Sequence, residues 1–464
     1  MILDRILGKS VPAWAVAGLI LVFLIAIVGF ASYVKTSIER ADESPMASAA
    51  IAVASFPPTV GRVFRELGRM LRNDVDYTNV AAYPSEDRWS EFSPVVSRLE
   101  SGPSGLIVRR GVRPPARGWR IIVGTFRVDQ TIQHAAVLLS PELEIVHSWP
   151  LTEDEAAVER PPWLISPHGF TMLTDGSVIY AFDRGVTLHR KDWCGRTMWA
   201  IPGRFSHVVE PDDARTTIWT TVSAGIEDPK ENRIVQVATD NGRILKDFSV
   251  ADIIAANPDI DILELRRLHP NFLTTNAKGR PGRWAGDPFH LNDIEPLPRS
   301  LASSFPMFSP GDLLISARET NLIFVLDPST LAIKWWRIGA TIRQHDPDWS
   351  ANGRVSVYNN RMARDYSEIV EIDPATFART VAVDGRSIDF YSRIRGKHQA
   401  IPGGGRLITS SQQGRIIELS AEGEIAVEFY IVLREDGPIF GVISESILLP
   451  EEAIDLGALR CGKS

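Results

Sequence analysis

The longest apolar segment of the chain lies near its N-terminus. Val11–Val34 reads VPAWAVAGLILVFLIAIVGFASYV and contains no charged residue. A helix of this length can cross a hydrocarbon layer of about 30 Å, and the run is longer than the core of about 7–15 residues that a signal peptide carries. We therefore favour one uncleaved transmembrane helix over a cleaved signal peptide. The numbers of basic residues on its two sides are nearly equal and do not decide the orientation. The tail before the helix is short, which favours an orientation with this tail in the cytoplasm and the remainder of the chain outside.

The pattern becomes polar and irregular after this apolar run. Thr59–Leu71 has the character of a possible short helix, and the segment RRGVRPPARGW that follows is dense in the Gly and Pro of a domain boundary. We assign residues 1–35 to a cytoplasmic tail and membrane anchor, and residues 36–115 to a stalk or linker.

Short β-rich segments of alternating polarity, separated by turns, fill most of the remaining chain. Five of them share one order, in which a histidine is followed by a few residues, a turn and a strand; the histidines are His168, His207, His290, His345 and His398. A further copy beginning at Trp119 lacks the histidine. Repeats of this length are typical of four-stranded propeller blades.

The sequence therefore predicts an all-β fold, a six-bladed β-propeller over residues 116–450, with a C-terminal tail at 451–464. Residues at one phase of the repeat converge at one mouth of the central channel in such a fold. Five of the nine histidines share that phase, which favours a functional site. The alternative is that each histidine bonds the backbone of a neighbouring blade.

Charge and cysteine content exclude several other classes of protein. The net charge is -7 with no basic stripe, so we expect no nucleic-acid partner. Cys194 and Cys461 lack the spacing of zinc or thioredoxin-type centres, and across so long a separation free thiols are favoured over a disulfide. No H-E-x-x-H pattern occurs, and Asp293 and Asp346 are the carboxylates nearest the histidines in sequence, so we expect neither a metal nor a cofactor.

Three blocks in the second half of the repeat resemble a known family. FHLNDIEPLP, LLISARETNLIFVLDPSTLAIKWWRIG and QHDPDWSANGRVSVYNN are similar in order and character to the H-x-N, S-x-R and Q-H blocks of the bacterial arylsulfate sulfotransferases. The resemblance covers about residues 119–435 and is sharpest over 284–360. It implies a six-bladed propeller that moves a sulfo group from an aryl sulfate donor to a phenolic acceptor, through a sulfated histidine and without a nucleotide donor.

The resemblance also implies roles for individual residues. His345 in QHD matches the nucleophilic histidine, and His290 and Arg318 match residues that hold sulfuryl oxygens. Asn292 stands beside His290 as a donor, and His207 matches the remaining histidine in a weaker motif. The repeat phase adds two histidines to the substrate-binding set, and a nearby aromatic residue is expected to stack on the acceptor: His168, His398 and Trp284.

These residue types suit sulfo transfer on chemical grounds. The planar fork of Arg318 matches two oxygens of a sulfate ester, and a histidine with a reference pKa near 6.5 is mostly neutral, hence nucleophilic, at pH 7. Transfer through a nitrogen nucleophile predicts ping-pong kinetics. A second histidine, His207 or His290, would protonate the leaving phenolate.

The main alternative is a non-catalytic propeller that serves as an envelope scaffold or ligand-binding protein at the membrane. An insertion, RSLASSFPMFS, separates His290 from Arg318, and the extended N-terminal β-domain of dimeric relatives is not evident. The oligomeric state and the identity of donor and acceptor therefore stay open. We expect a single-pass protein of the bacterial inner membrane with its propeller in the periplasm.

Overall fold

A computed structural model of the chain describes residues 13–39, 44, 46, 80–81, 96–97, 102–128, 131–153, 166–183, 185–223, 231–268, 283–284, 287–362, 364–434, 439–459 and 461. The possible helix at Thr59–Leu71 lies outside these residues. The chain forms two compact units, one of Met1–Val75 with Arg267–Ala285 and one of Asp76–Arg266 with Gly286–Ser464.

The smaller unit contains helix α1 (Ala13–Glu39), which includes most of the apolar run. It also contains a two-stranded sheet from the segment between the third and fourth blades. Within the part of the chain that the structure describes, no helix combines the length and hydropathy that a membrane span requires.

The strands of the chain follow one another with few helical interruptions. The strands before the third blade are β1 (Val80–Ala81), β2 (Val96–Ser97), β3 (Pro103–Ser104), β4 (Leu106–Arg110), β5 (Trp119–Val128), β6 (Thr131–Leu139), β7 (Ile145–Leu151), β8 (Ser166–Met172), β9 (Val178–Asp183), β10 (Thr187–Lys191) and β11 (Thr197–Pro202). The third blade and the segment after it contain β12 (Phe205–Pro211), β13 (Thr217–Val222), β14 (Arg233–Ala238), β15 (Ile244–Ser249), helix α2 (Val250–Ala256), and the strands of the small sheet, β16 (Arg267–Leu268) and β17 (Arg283–Trp284).

The second half of the chain continues in the same way. Its strands are β18 (Leu291–Pro296), β19 (Leu313–Ala317), β20 (Leu322–Leu326), β21 (Ile333–Ile338), β22 (His345–Trp349), β23 (Val355–Asn359), β24 (Glu368–Ile372), β25 (Arg379–Asp384), β26 (Lys397–Ile401), β27 (Gly405–Ser410), β28 (Arg415–Leu419), β29 (Ile425–Arg434), β30 (Ile439–Gly441) and β31 (Ile443–Leu449). Short 3-10 turns occur at Ala302–Ser304, Arg318–Thr320, Gly385–Ser387, Pro402–Gly404, Ser411–Gln413 and Glu451–Ala453.

Six antiparallel sheets form the blades, which confirms the predicted all-β six-bladed propeller. Four blades are consecutive four-stranded sheets that start at β8, β12, β18 and β22. The inner strands β8, β12, β18, β22, β26 and β31 contact one another in a closed circle. The central channel therefore runs between them.

Strands from the two ends of the propeller sequence close the ring. The C-terminal strand β31 pairs with β5 and so supplies the innermost strand of the first blade. The N-terminal strand β4 pairs with β29 and extends the last blade at its outer side. The sheet of the last blade also includes β1, which pairs with β30, and β2, which pairs with β4. Strands of these two sheets therefore occur well before residue 116, where the sequence suggested a boundary.

Apolar residues pack between neighbouring blades. Trp335 of β21 is buried and donates its indole N–H to the carbonyl of Pro374 in the next blade, at 2.9 Å. The following residue, Trp336, points the other way and is exposed. This alternation follows from the two-residue period of a strand. It keeps the blades, and the inner strands they carry, in fixed register around the channel.

Cys194 and Cys461 form a disulfide, so the preference for free thiols was wrong. The ring closure is the reason: after β31, the chain continues along the first two blades, where Ile454 is buried and Leu459 packs beside Gly176. This path brings the two cysteines to a Cα–Cα distance of 5.5 Å across a sequence separation of 267.

Candidate functional site

A β-bulge near the start of the inner strands directs side chains into the channel. The pairing register shifts at Pro167/Phe170 in β8, Ser206/Glu210 in β12, Leu291/Asp293 in β18 and His345/Pro347 in β22. At these points the backbone adopts left-handed conformations, with φ of 74° at His207 and 48° at His290. Such conformations are uncommon for residues other than glycine and re-aim a side chain. The shared bulge is why the histidines of different blades meet.

Three imidazole rings form a contiguous cluster. The rings of His168 and His207 have centroids 4.5 Å apart, and those of His207 and His290 lie 4.7 Å apart at right angles. The Nε2 atoms of His207 and His290 are 3.0 Å apart, so one hydrogen is shared between them. The Nδ1 of His290 lies 2.5 Å from a carboxylate oxygen of Asp287. Asp287 therefore holds the ring of His290 in a fixed orientation.

His345 is almost fully buried and both its ring nitrogens are bonded. Its Nδ1 lies 2.7 Å from Asn360 Oδ1, while the Asn360 Nδ2 donates to the carbonyls of Ser392 and Arg395. Because those two carbonyls only accept, the Asn360 amide has one possible orientation and Nδ1 of His345 carries the hydrogen. The lone pair is then on Nε2, which accepts the backbone N–H of Arg395 at 3.2 Å.

The protein environment favours the neutral form of His345, His207 and His168. Burial lowers the pKa of His345 well below its ordinary value, and the charge of Arg318 lowers it further. Burial also lowers the pKa of His207 to about 3, with a contribution from His290. The pKa of His168 is lowered for the same main reason, burial. The neutral imidazole of His345 has, at Nε2, the lone pair that a nucleophile requires.

Arg318 follows β19 and lies near the same histidines. Its backbone N–H donates to the carbonyl of His290 at 3.2 Å, and its Nη2 donates to Glu319 at 3.0 Å. Glu319 also accepts from Arg343 and from Arg266. The Nε of Arg318 is buried and has no hydrogen-bond partner among the described residues. An unused N–H of a guanidinium suits an oxyanion.

The other predicted residues are placed differently. Asn292 is buried and its Nδ2 donates to the carbonyl of Gln344 at 2.8 Å, directly before His345, while its Oδ1 has no partner among the described residues. It thereby supports the strand that carries His345. Trp284 lies in β17, which pairs with β16 in the smaller unit, and its side chain is outside the described residues.

Comparison with known proteins identifies the family of this chain. A model of the family described as arylsulfotransferase (ASST) matches residues 169–432, more than half of the chain and most of the propeller. The chain belongs to the arylsulfotransferase family. Membership supports an arylsulfotransferase-type function in general and agrees with the resemblance in the sequence blocks. No curated protein matches the sequence.

Several solved structures resemble this arylsulfotransferase-family chain. A protein of unknown function from Bacteroides caccae shares 11% identity, covers 71% of this chain and 98% of its own, and gives a TM-score of 0.42. Virginiamycin B lyase from Staphylococcus aureus shares 12% identity over 73% and 99%, with a TM-score of 0.37. TolB from Acinetobacter baumannii shares 11% identity over 72% and 67%, with a TM-score of 0.42.

A second tier of ionisable residues lies further along the inner strands of the arylsulfotransferase-family propeller. A cavity of about 310 Å³ has five acidic residues in its wall: Glu210, Glu295, Asp346, Asp348 and Glu445. His398 belongs to this acidic tier, because its Nδ1 lies 2.7 Å from Asp346 and its Nε2 lies 2.6 Å from the hydroxyl of Ser356. Among the described residues, the ring of His398 contacts no other histidine, although it shares their repeat phase.

Lys397 balances part of this negative charge. Its ammonium lies 2.9 Å from Asp293 and 2.8 Å from Asp346. Burial alone would lower the pKa of Lys397, but the two carboxylates raise it well above the ordinary value. Burial raises the pKa of Glu210 to about 8. The tier thus holds protons at neutral pH.

One set of residues in this tier has metal-ligating chemistry. Ligand atoms of Asp346, Asp348 and His398 lie within 4.8 Å of one another. The ligand atoms of Asp346 and His398 are already hydrogen-bonded to each other. Asp346 also forms an ion pair with Lys397. The charge of Asp346 is therefore balanced by protein groups.

Three residues that contact the histidines escaped the sequence analysis. Asp287 precedes His290 by three residues. This spacing brings the two side chains together only in the loop conformation that the structure shows. Asn360 ends the Y-N-N segment after β23, and only the blade register shows that it reaches His345. Arg395 lies 50 positions after His345, and nothing in its segment, SRIRGK, marks it as part of a site.

Proposed function

We propose that this protein is a nucleotide-independent sulfotransferase, which moves a sulfo group from an aryl sulfate ester to a phenolic or other hydroxyl acceptor through a sulfohistidine. The observation that carries the proposal is that His207, His290, His345 and Arg318 lie near one another around the channel of an arylsulfotransferase-family propeller. The site then brings a neutral nitrogen nucleophile, a proton donor and a guanidinium close together.

In the first half-reaction, the Nε2 lone pair of His345 attacks the sulfur of the donor. An N–S bond forms as the S–O bond to the aryl group breaks, and the phenolate leaves with that electron pair. Its proton comes from the His207–His290 pair, and we assign the role to His290, because the Asp287 carboxylate contacts its Nδ1 and holds the ring while Nε2 gives up the proton. In the second half-reaction, His290 takes the proton of the incoming phenol, whose oxygen attacks the same sulfur and releases His345.

The cations of the site stabilise the transferring group. The negative charge of a sulfo group is spread over its outer oxygens, so hydrogen-bond donors that face those oxygens lower the barrier. Arg318 contributes a guanidinium whose Nε has no partner among the described residues. The bond between Asn360 and Nδ1 of His345 holds the ring in the tautomer with Nε2 free of hydrogen, and it persists when Nε2 is sulfated.

Purified propeller incubated with a chromogenic aryl sulfate and a phenol tests the proposal. We expect release of the chromogenic phenolate that depends on the acceptor, with ping-pong kinetics. Absence of release over a broad panel of donors would favour the scaffold or ligand-binding alternative.

We also propose that α1 anchors the protein in the bacterial inner membrane as a single-pass helix, with the propeller in the periplasm. The uncharged run Val11–Val34 supports an anchor. The disulfide between Cys194 and Cys461 supports an oxidising compartment, because such bonds persist mainly outside the cytoplasm.

A further inference from the structure

The segment before β26 brings a second guanidinium into the histidine cluster. Arg395 is more than nine-tenths buried and adopts a left-handed backbone conformation, with φ of 62°. Its carbonyl accepts from the Asn360 amide at 2.6 Å, and its N–H donates to His345 Nε2. The same amide that fixes the His345 tautomer therefore also fixes Arg395.

The side chain of Arg395 has an unused donor. Nη2 forms an ion pair with Asp183 at 3.0 Å, whereas Nη1 is buried and lacks a partner among the described residues. A buried donor without a partner is destabilising, more so if it is charged, so such a group usually has a ligand. Burial lowers the pKa values of His168 and His207, and the nearby positive charge of Arg395 lowers them further.

We propose that Arg395 is a second sulfuryl-binding residue, which contacts the outer oxygens of the sulfo group through Nη1 and through its backbone N–H. This inference rests on the function proposed above. Sulfur must come close to His345 Nε2, the atom that now accepts the Arg395 N–H. When the N–S bond forms, that N–H loses its acceptor and faces an equatorial oxygen instead. Arg318 and Arg395 would then hold the group between two guanidiniums.

Arg395→Ala tests the side chain alone, because it keeps both the backbone N–H and a Cβ at the strained position. Arg393, exposed and two residues away, provides the matched control Arg393→Ala. Arg395→Lys, which retains a charge for Asp183, serves as a second variant if the alanine variant does not fold. Thermal melting checks the fold of each.

The first readout is binding of an aryl sulfonate, a donor analogue whose C–S bond is not transferred, measured by calorimetric titration. We expect Arg395→Ala to raise the Kd at least tenfold, Arg395→Lys to raise it less, and Arg393→Ala to leave it unchanged. The second readout is single-turnover release of phenolate, which should slow about 100-fold in Arg395→Ala, the usual loss for one oxyanion donor. Added methylguanidinium should restore part of this rate.

The two readouts separate this inference from the proposed function. Sulfonate binding that depends on Arg395, without transfer from any donor, would support the anion site and overturn the sulfotransferase. Transfer with unchanged sulfonate affinity in Arg395→Ala would overturn the inference and leave the sulfotransferase standing. Failure of the wild-type protein to bind sulfonate would also overturn the inference.

Discussion

The ring of His345 is held on both sides, and each side has a different function. Asn360 accepts from Nδ1 and fixes the tautomer, while the Arg395 N–H occupies Nε2 only at 3.2 Å, the long end of hydrogen-bond distances. A weak bond at Nε2 can be exchanged for sulfur, whereas the bond at Nδ1 must be kept. This asymmetry supports Nε2 as the reacting atom of the proposed sulfo transfer.

We therefore predict that His345→Ala and His345→Gln both abolish turnover. The alanine variant leaves the Asn360 oxygen and the Arg395 N–H without partners, which costs roughly 1–3 kcal/mol per group, so its melting temperature should fall. The glutamine variant can retain one of these bonds and separates lost chemistry from lost stability.

Wild-type protein given donor without acceptor should gain one sulfo group on the peptide that contains His345, detected by mass spectrometry. Turnover in His345→Gln would contradict the assignment. So would a sulfo group on His207 or His290.

Arg318 offers a second residue-level test. Arg318→Lys should lower the rate of sulfo transfer about 100-fold, because an ammonium cannot reproduce the two-pronged contact of a guanidinium with two oxygens. Steady-state kinetics with a chromogenic donor measure the change. Arg337→Lys, in the outer strand β21 of the same blade, is the matched control and should retain full activity. Equal rates for Arg318→Lys and wild-type protein would show that Arg318 does not bind the sulfo group.

At the scale of elements, ring closure depends on one strand, β31, and on the segment after it. The disulfide between Cys194 and Cys461 ties that segment to the turn between β10 and β11. A cross-link that closes a loop of this length stabilises a fold by about 5 kcal/mol in the chain-entropy model, because it restricts the unfolded chain.

We predict that reductant lowers the melting temperature of the wild-type protein, and that Cys194→Ser with Cys461→Ser lowers it without reductant. Scanning calorimetry with and without dithiothreitol measures both. The double variant should be insensitive to reductant. Equal melting temperatures for oxidised and reduced wild-type protein would show that the bond contributes nothing to closure.

The channel as a whole concentrates negative charge from several blades, which couples stability to pH. Burial raises the pKa of Glu210 from 4.5 to about 8. Between these two values the folded state holds a proton that the unfolded state has released, so this contribution to stability is present at low pH and is lost as pH rises through 8.

Glu210→Gln removes this titration, and the melting temperature of the variant relative to wild type should rise between pH 5 and pH 8.5. Differential scanning fluorimetry over that range measures the change. Glu452→Gln, at an exposed position after β31, should parallel the wild-type curve. A Glu210→Gln curve parallel to wild type would mean that Glu210 is ionised in the folded protein.

The proposed anchor is a property of the whole molecule and can be tested directly. Protease added to intact spheroplasts should digest the propeller, because the membrane would protect only the short N-terminal tail. A cytoplasmic protein of the same cells should remain intact as the control. Full protection of the propeller would contradict the periplasmic orientation.

The sequence by itself determined the class of fold and the phase of the histidines. A strand has a period of two, and a blade repeats one order of turn and strand, so both features are local and can be counted along the chain. Local order also explains why the sequence groups His168, His207, His290, His345 and His398 together. The family blocks added Arg318, which follows β19 closely.

Only the tertiary structure decided which of these side chains meet. His398 shares the repeat phase, but its ring bonds to Asp346, whose left-handed backbone at φ of 51° points the carboxylate into the acidic tier. Arg395 and Asn360 reach His345 from segments distant in sequence, and Cys461 reaches Cys194 because β31 closes the ring. These contacts depend on bulges and on closure between blades. Both are set by packing across the whole propeller, which no local pattern records.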